Sequence, residues 1–158
     1  MGRRSTKENK NMYQQAREAA ELTREQASER MRFVSEDRIE KIESGRSEPH
    51  PEEVAAMAEA YRTPLLRNRF CSGECPLGRE RVREIPEKDL PGIVIGLLAD
   101  LNALNGQRER LIEIASDGEI HEDERADFEK IAERLSSVTV SAGALQLWME
   151  KQILLGRM

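Results

Sequence analysis

Thr23-Arg24-Glu25-Gln26-Ala27-Ser28-Glu29-Arg30-Met31, then Arg32-Phe33-Val34, then Ser35-Glu36-Asp37-Arg38-Ile39-Glu40-Lys41-Ile42-Glu43-Ser44-Gly45, is a run of two short helical patterns divided by a tight turn. Thr23 and Gln26 form a capping box, in which a hydroxyl and a side-chain amide satisfy the free N–H groups of a helix start. That helix is predicted to reach about Met31. Ser35 is a good N-cap for the next, and Glu36 and Asp37 stand in its first turn, where the helix dipole favours anions. Ile39 and Ile42 give it an apolar stripe. Ser44-Gly45 ends it, because Gly45 is free to take the left-handed conformation. Ala27 and Ser28 are small enough to let the two helices approach.

Working outward, Met12, Ala16, Ala19 and Ala20 lie at helical spacing on an earlier helix, with Leu22 just beyond it. Pro49-His50-Pro51 makes an extended link. Pro51 suits the first turn of a fourth helix, Pro51 to Ala60, with Glu52 and Glu53 at its positive end. Val54, Met57, Ala58 and Tyr61 form its inner face. Pro64 allows a fifth helix over about Leu65 to Phe70. These patterns place a five-helix domain at residues 11–70, preceded by a flexible basic arm, residues 1–10, that carries Arg3, Arg4, Lys7 and Lys10.

Residues 71–91, with Pro76, Pro86 and Pro91, are expected to be a linker. Beyond them Val94, Leu97, Leu101, Leu104, Arg108, Leu111 and Ala115 follow 3-4 spacing, and Gly118 breaks the seam. Phe128, Ile131, Leu135, Val138, Ala142, Leu145, Met149 and Gln152 form a second seam. It predicts one helix from about Glu122 to Leu154, bent near Gly143. Residues 92–158 are thus expected to form a long antiparallel hairpin. Ile93, Leu98, Ile112 and Trp148 widen its apolar face, so a second copy should cover it, giving a homodimer through residues 90–154. The competing expectation is that the pair folds back on the first domain of its own chain.

Composition agrees with an all-α chain. Only 4% of the 158 residues are aromatic, too few for a strand-rich fold. The longest apolar stretch, Ile93 to Ala99, is far short of the roughly 20 residues that span a bilayer. The N-terminus leads into no apolar signal region, and two cysteines make no disulfide scaffold. These features predict a cytoplasmic protein with no membrane partner. Residues 1–83 hold 17 Lys/Arg against 15 Asp/Glu, a net of +2, and residues 84–158 hold 8 against 15, a net of −7.

Two short helices with a tight turn, inside about sixty residues of helices, describe a helix-turn-helix module. Tyr13-Gln14-Gln15-Ala16-Arg17-Glu18-Ala19, Leu22-Thr23-Arg24-Glu25-Gln26-Ala27, Ile39-Glu40-Lys41-Ile42-Glu43-Ser44-Gly45-Arg46 and Pro49 together resemble the phage-repressor and Cro type, also called the xenobiotic-response-element family. The resemblance covers roughly Met12 to Tyr61 and implies a five-helix lambda-repressor-like domain. It implies a DNA-binding regulator of transcription, from a bacterium, phage or mobile element, acting on double-stranded DNA. The third helix is then expected in the major groove, with Ser35, Glu36, Asp37, Arg38 and Lys41 facing bases. Thr23 and Arg24 would face phosphate at the second helix, and Arg46 after the third. A homodimer of this kind presents two reading helices to a pseudo-palindromic site, as a repressor does. Arg17 and Glu43 are placed for a partly buried ion pair that fixes how two helices meet. The alternative use of such a module is a regulatory adaptor that binds another protein.

Two features depart from the family pattern. Arg32 stands where a glycine is common, in a turn one residue longer than usual. Glu36 and Asp37 put negative charge where phosphates approach, although counterion release rewards only cations.

No catalytic residues, metal or cofactor are expected. The chain has no phosphate-cradling glycine loop, no nucleophile elbow and no His–carboxylate pairing at catalytic spacing. Cys71 and Cys75 supply two thiols where zinc wants four ligands. Glu113, Asp117, Gly118, Ile120 and Glu124 fit a twelve-residue calcium loop, but its third position is Ala115, which carries no oxygen ligand on its side chain.

Overall fold

Thr23 and Gln26 make the reciprocal cap that the sequence predicts. The Thr23 hydroxyl accepts from the Gln26 N–H at 3.1 Å, and the Gln26 side chain accepts from the Thr23 N–H at 3.0 Å. In the computed structural model, which describes residues 10–158, the chain is all-α, with no strand among the described residues. The helices are α1 (Met12–Ala19), α2 (Arg24–Met31), α3 (Glu36–Glu43), α4 (Pro51–Ala60), α5 (Leu65–Gly73), α6 (Leu90–Asn105), α7 (Arg108–Ile114) and α8 (Arg125–Leu154). The basic arm lies outside the described residues except for Lys10, whose ammonium pairs with Glu18 at 2.6 Å.

Residues group into two compact units. One runs to Glu84 and takes in Met149–Met158; the other is Ile85–Trp148. The change of unit at Glu84 falls inside the expected linker, while the last residues of the expected hairpin, from Met149, group with the first unit.

In the first unit, α1 to α5 enclose one core that includes Ala16, Leu22, Ala27, Met31, Val34, Ile39, Ile42, Val54, Met57, Ala58, Tyr61 and Phe70. Ala27 is fully buried, which is why a small residue is needed there. Asn11 ties α1 to α3: its side chain caps α1 by accepting from Gln14 N–H and donates to the Ile42 carbonyl at 2.8 Å. Gly45, at φ +74°, closes α3 with its own N–H on the Ile42 carbonyl and the Arg46 N–H on the Lys41 carbonyl. That is the paired bonding of a left-handed helix end. The fifth helix continues past Phe70 to Gly73, because Phe70 is a core residue and its carbonyl takes the N–H groups of Glu74 and Cys75.

In the second unit, two expectations are corrected. The first seam is carried by two helices instead of one, broken at Gly106–Gln107. Glycine costs about 1 kcal/mol in a helix interior, and Gln107 turns back with its N–H on the Leu104 carbonyl. The last helix begins at Arg125 rather than Glu122, because Glu124 serves the preceding turn by accepting from the His121 N–H. It then runs through Gly143 as a single helix. A Cβ at Gly143 would lie 2.8 Å from the Ile85 side chain, so this glycine permits a close approach there. The antiparallel pairing stands: the Ser141 hydroxyl bonds Asp100, and Arg110 bonds Asp127 at 3.0 Å.

Candidate nucleic-acid interface

The turn between α2 and α3 is set by what it buries. Met31 and Val34 are both in the core, so the two residues between them must cross the surface. Arg32 does so at φ +65° and ψ −40°, and the Phe33 N–H bonds the Met31 carbonyl at 2.8 Å. This is a γ-turn in the rare positive-φ hand, which non-glycine residues adopt under strain. Arg32 therefore occupies a conformation suited to the glycine whose absence the sequence showed. Phe33 is left outside, 65% exposed.

Behind the turn sits a three-residue network. Glu43, at the end of α3, has a fully enclosed carboxylate. It accepts from Arg17 Nε at 2.5 Å and Arg17 Nη2 at 3.0 Å, and from Arg24 Nε at 2.8 Å. Arg17 also donates to the Leu22 carbonyl at 2.7 Å. Burial pulls the Arg17 guanidinium down, and the bonds and charge of Glu43 more than restore it, so its net shift is upward. The Tyr61 hydroxyl is pushed up, first by burial and then by the Glu43 charge. Arg17 and Glu43 thus meet as the sequence predicts, and Arg24 joins them. Arg24 keeps its remaining guanidinium face toward solvent at the start of α2, beside the Thr23 cap.

On α3, the Ser35 hydroxyl caps by accepting from the Arg38 N–H, and Glu36 and Asp37 follow it on the surface. Lys41 pairs with Asp37 at 2.6 Å, one turn away. Lys41 holds the Asp37 carboxyl below its ordinary range. Arg46 pairs with Glu40. Arg38 does not share this outer edge. Its Nε and Nη2 bond the two Glu53 oxygens at 2.7 Å each, and further donors reach the Ser47 hydroxyl and, at 2.9 Å, the Glu48 carbonyl. Arg38 and the Glu53–His50 backbone bond hold the Glu53 carboxyl below its ordinary value against burial. Of the eight residues expected at an interface, Ser35, Glu36, Asp37, Lys41 and Arg46 lie in or beside α3, Thr23 and Arg24 open α2, and Arg38 is drawn toward α4.

Sequence reasoning missed two participants. Glu53 gave no local signal, since it reads as a first-turn acid of α4 and meets Arg38 only through the fold. Phe33 did give one: of the neighbours Phe33 and Val34 in a tight turn, only one can point inward. Elsewhere, Cys71 and Cys75 are half-buried free thiols against the first-unit core. The Asp117 carboxylate is taken up by its own turn, accepting from the Glu119 N–H and facing His121 at 2.8 Å. Among the described residues no helix is long and apolar enough to cross a membrane.

No curated protein and no solved structure matches the chain. Residues 14–70 match the family model described as a helix-turn-helix domain, and with α2, the turn and α3 arranged as above, that stretch is a helix-turn-helix domain.

Proposed function

We propose that the chain is a DNA-binding regulator of transcription of the phage-repressor type, working as a homodimer that represses from a pseudo-palindromic site. The observation that carries this reading is α3, whose N-terminal half stands uncovered inside a helix-turn-helix domain. In such modules the second helix of the pair enters the major groove. Lys41 then pairs with guanine O6 and N7, and Glu36 or Asp37 accepts from cytosine N4. Thr23, Arg24 and Arg46 hold phosphates and set the register, while Ser35 fixes where α3 begins. Arg38 has a positioning part, clamping α3 to α4. No step of this function calls for catalysis or a cofactor, and it is exercised in the cytoplasm of a bacterium or of a phage-infected cell.

The homodimer reading rests on α6. Its one charged residue, Asp100, is bonded to Ser141 of its own chain. Val94, Ile95, Leu98 and Leu101 nevertheless remain exposed, Ile95 by 68% and Leu98 by 55%. A helix this rich in apolar residues belongs in a core, and a second α6 completes one without burying an unpaired charge, since its single carboxylate is already bonded.

A salt series with a fluorescent random-sequence duplex tests the DNA reading. Affinity should fall steeply as salt rises, because phosphate contacts release counterions. No binding even at low salt would overturn it. The protein-binding alternative is favoured by one observation, that Lys41 and Arg46 already have carboxylate partners on the protein. It requires a protein ligand for α3 in place of the duplex.

A further inference from the structure

We infer that Phe33 is a specificity-determining residue that lies against the C5-methyl group of a thymine in the groove that receives α3. The inference rests on the DNA-binding reading above. Phe33 is the one large apolar side chain within residues 14–70 that the domain leaves in water; every other lies in or against the core. Its place is not an accident of a loose loop. Met31 and Val34 anchor the turn on both sides, and the γ-turn bond from the Phe33 N–H to the Met31 carbonyl directs the residue outward at the cost of a strained Arg32. Strain of this kind persists where the surroundings over-determine it, and it gathers at functional positions. Ser35 then starts α3 only two residues later.

What such a ring meets follows from the groove. Phosphates and base-edge donors and acceptors offer nothing to an uncharged hydrocarbon, and the thymine methyl is the apolar group that the major groove presents. The neighbouring acids support a base-edge position as well. Glu36 and Asp37 are repelled by phosphate, so the leading end of α3 is favoured over the groove floor, with the basic groups Arg24 and Arg46 left to the backbone. Phe33, immediately ahead of those acids, then reads the step next to theirs.

The test uses the full chain and a duplex selected by it from a random pool. Each thymine of that duplex is replaced in turn by deoxyuridine, which removes the methyl and nothing else. For the unaltered protein, one replacement in each half-site should weaken binding by about fourfold, the value of one buried methyl-sized group. In Phe33→Ala that difference should vanish, while Phe33→Met should keep part of it. Because Phe33 is mostly exposed, both variants should melt with the unaltered chain and keep its salt dependence. The inference is overturned if no thymine is sensitive, or if the same thymine stays sensitive in Phe33→Ala. Retention of full duplex binding with loss of self-association in Phe33→Ala would also overturn it, making the ring a protein contact. Failure to select any duplex is a different result: it removes the DNA-binding reading itself, and Phe33 with it.

Discussion

The Arg38 guanidinium closes on the Glu53 carboxylate through two parallel bonds of 2.7 Å, so a side chain that helical position alone would send outward is turned toward α4. The Ser47 hydroxyl and the Glu48 carbonyl complete its partners. Together they bind α3 to the segment that follows it and to α4. Arg38 and Lys41, three positions apart, therefore have different work to do. Arg38→Met is expected to destabilise the domain by about 1–3 kcal/mol, since it leaves a largely buried carboxylate without its charged donor. Lys41→Met removes only an exposed pair and is expected to change stability by less than about 1 kcal/mol while weakening duplex binding. Urea unfolding of both variants beside a binding titration separates the two roles. Equal destabilisation by both would refute the distinction.

The same pair predicts an acid limb. Arg38, acting against burial and helped by the His50 N–H, holds Glu53 below its ordinary value of about 4.5. A group lowered in the folded state contributes stability that is complete above its unfolded value and is lost as pH falls through the folded one. Stability should therefore decline below about pH 4.5, and Glu53→Gln should show a shallower decline in that window from a lower starting point. Thermal melts at a series of pH values measure this. A Glu53→Gln curve parallel to that of the unaltered chain would count against it.

Glu43 faces a harsher balance, because Arg17 beside it is also buried. Glu43→Ala leaves that guanidinium unpaired in the core and is expected to cost about 3–5 kcal/mol. Replacing Arg17 and Glu43 together by Met and Leu should cost less than the sum of the single changes, since no uncompensated charge remains. Arg24 is the more exposed partner, so Arg24→Ala should cost much less stability than Glu43→Ala. A double-mutant cycle in urea gives the comparison, and strict additivity would show that the three groups do not act as one network.

What could be read from the residues was local. Thr23 with Gln26, Ser35 before its acids, and Gly45 after Ile42 each state a helix end within four positions, and each cap forms. Arg17 and Glu43 were legible because the resemblance places them, not because either residue announces a partner. Arg38 with Glu53 was not legible, since fifteen positions and a bend of the chain separate them. The break at Gly106 was hidden for another reason. The 3-4 spacing of Leu101, Leu104, Arg108 and Leu111 passes through it unbroken, and periodicity records which face is apolar without recording whether the backbone stays helical. Gly143 shows the converse: its low helix propensity argues against a continuous helix, yet α8 runs through it, and a Cβ there would crowd Ile85.

Arg32 offers a gain in stability. It holds φ +65° in the γ-turn, and no side-chain bond to it is formed among the described residues that would repay the strain. Arg32→Gly relieves the clash between Cβ and backbone and is expected to stabilise the domain by about 1 kcal/mol, net of the extra freedom of glycine when unfolded. Chemical denaturation measures the change. If Arg32→Gly destabilises the chain, the side chain has a packing role that outweighs its backbone strain.

The exposed residues of α6 make the oligomer testable without DNA. Leu98 lies near the middle of the Val94, Ile95, Leu98 and Leu101 surface and has no charged neighbour on its own helix besides Asp100, which Ser141 occupies. If two copies meet there, Leu98→Glu buries two like charges at their shared face, a penalty of several kcal/mol that the dimer cannot absorb. The variant should run as a monomer by light scattering at concentrations where the unaltered chain is a dimer. Because Leu98 is more than half exposed, the fold of the single chain should survive the change, which helical circular dichroism would show. Its affinity for an isolated half-site should also persist, while affinity for the full pseudo-palindrome falls. A dimer that withstands Leu98→Glu would place the subunit contact elsewhere and leave the α6 surface without its proposed occupant.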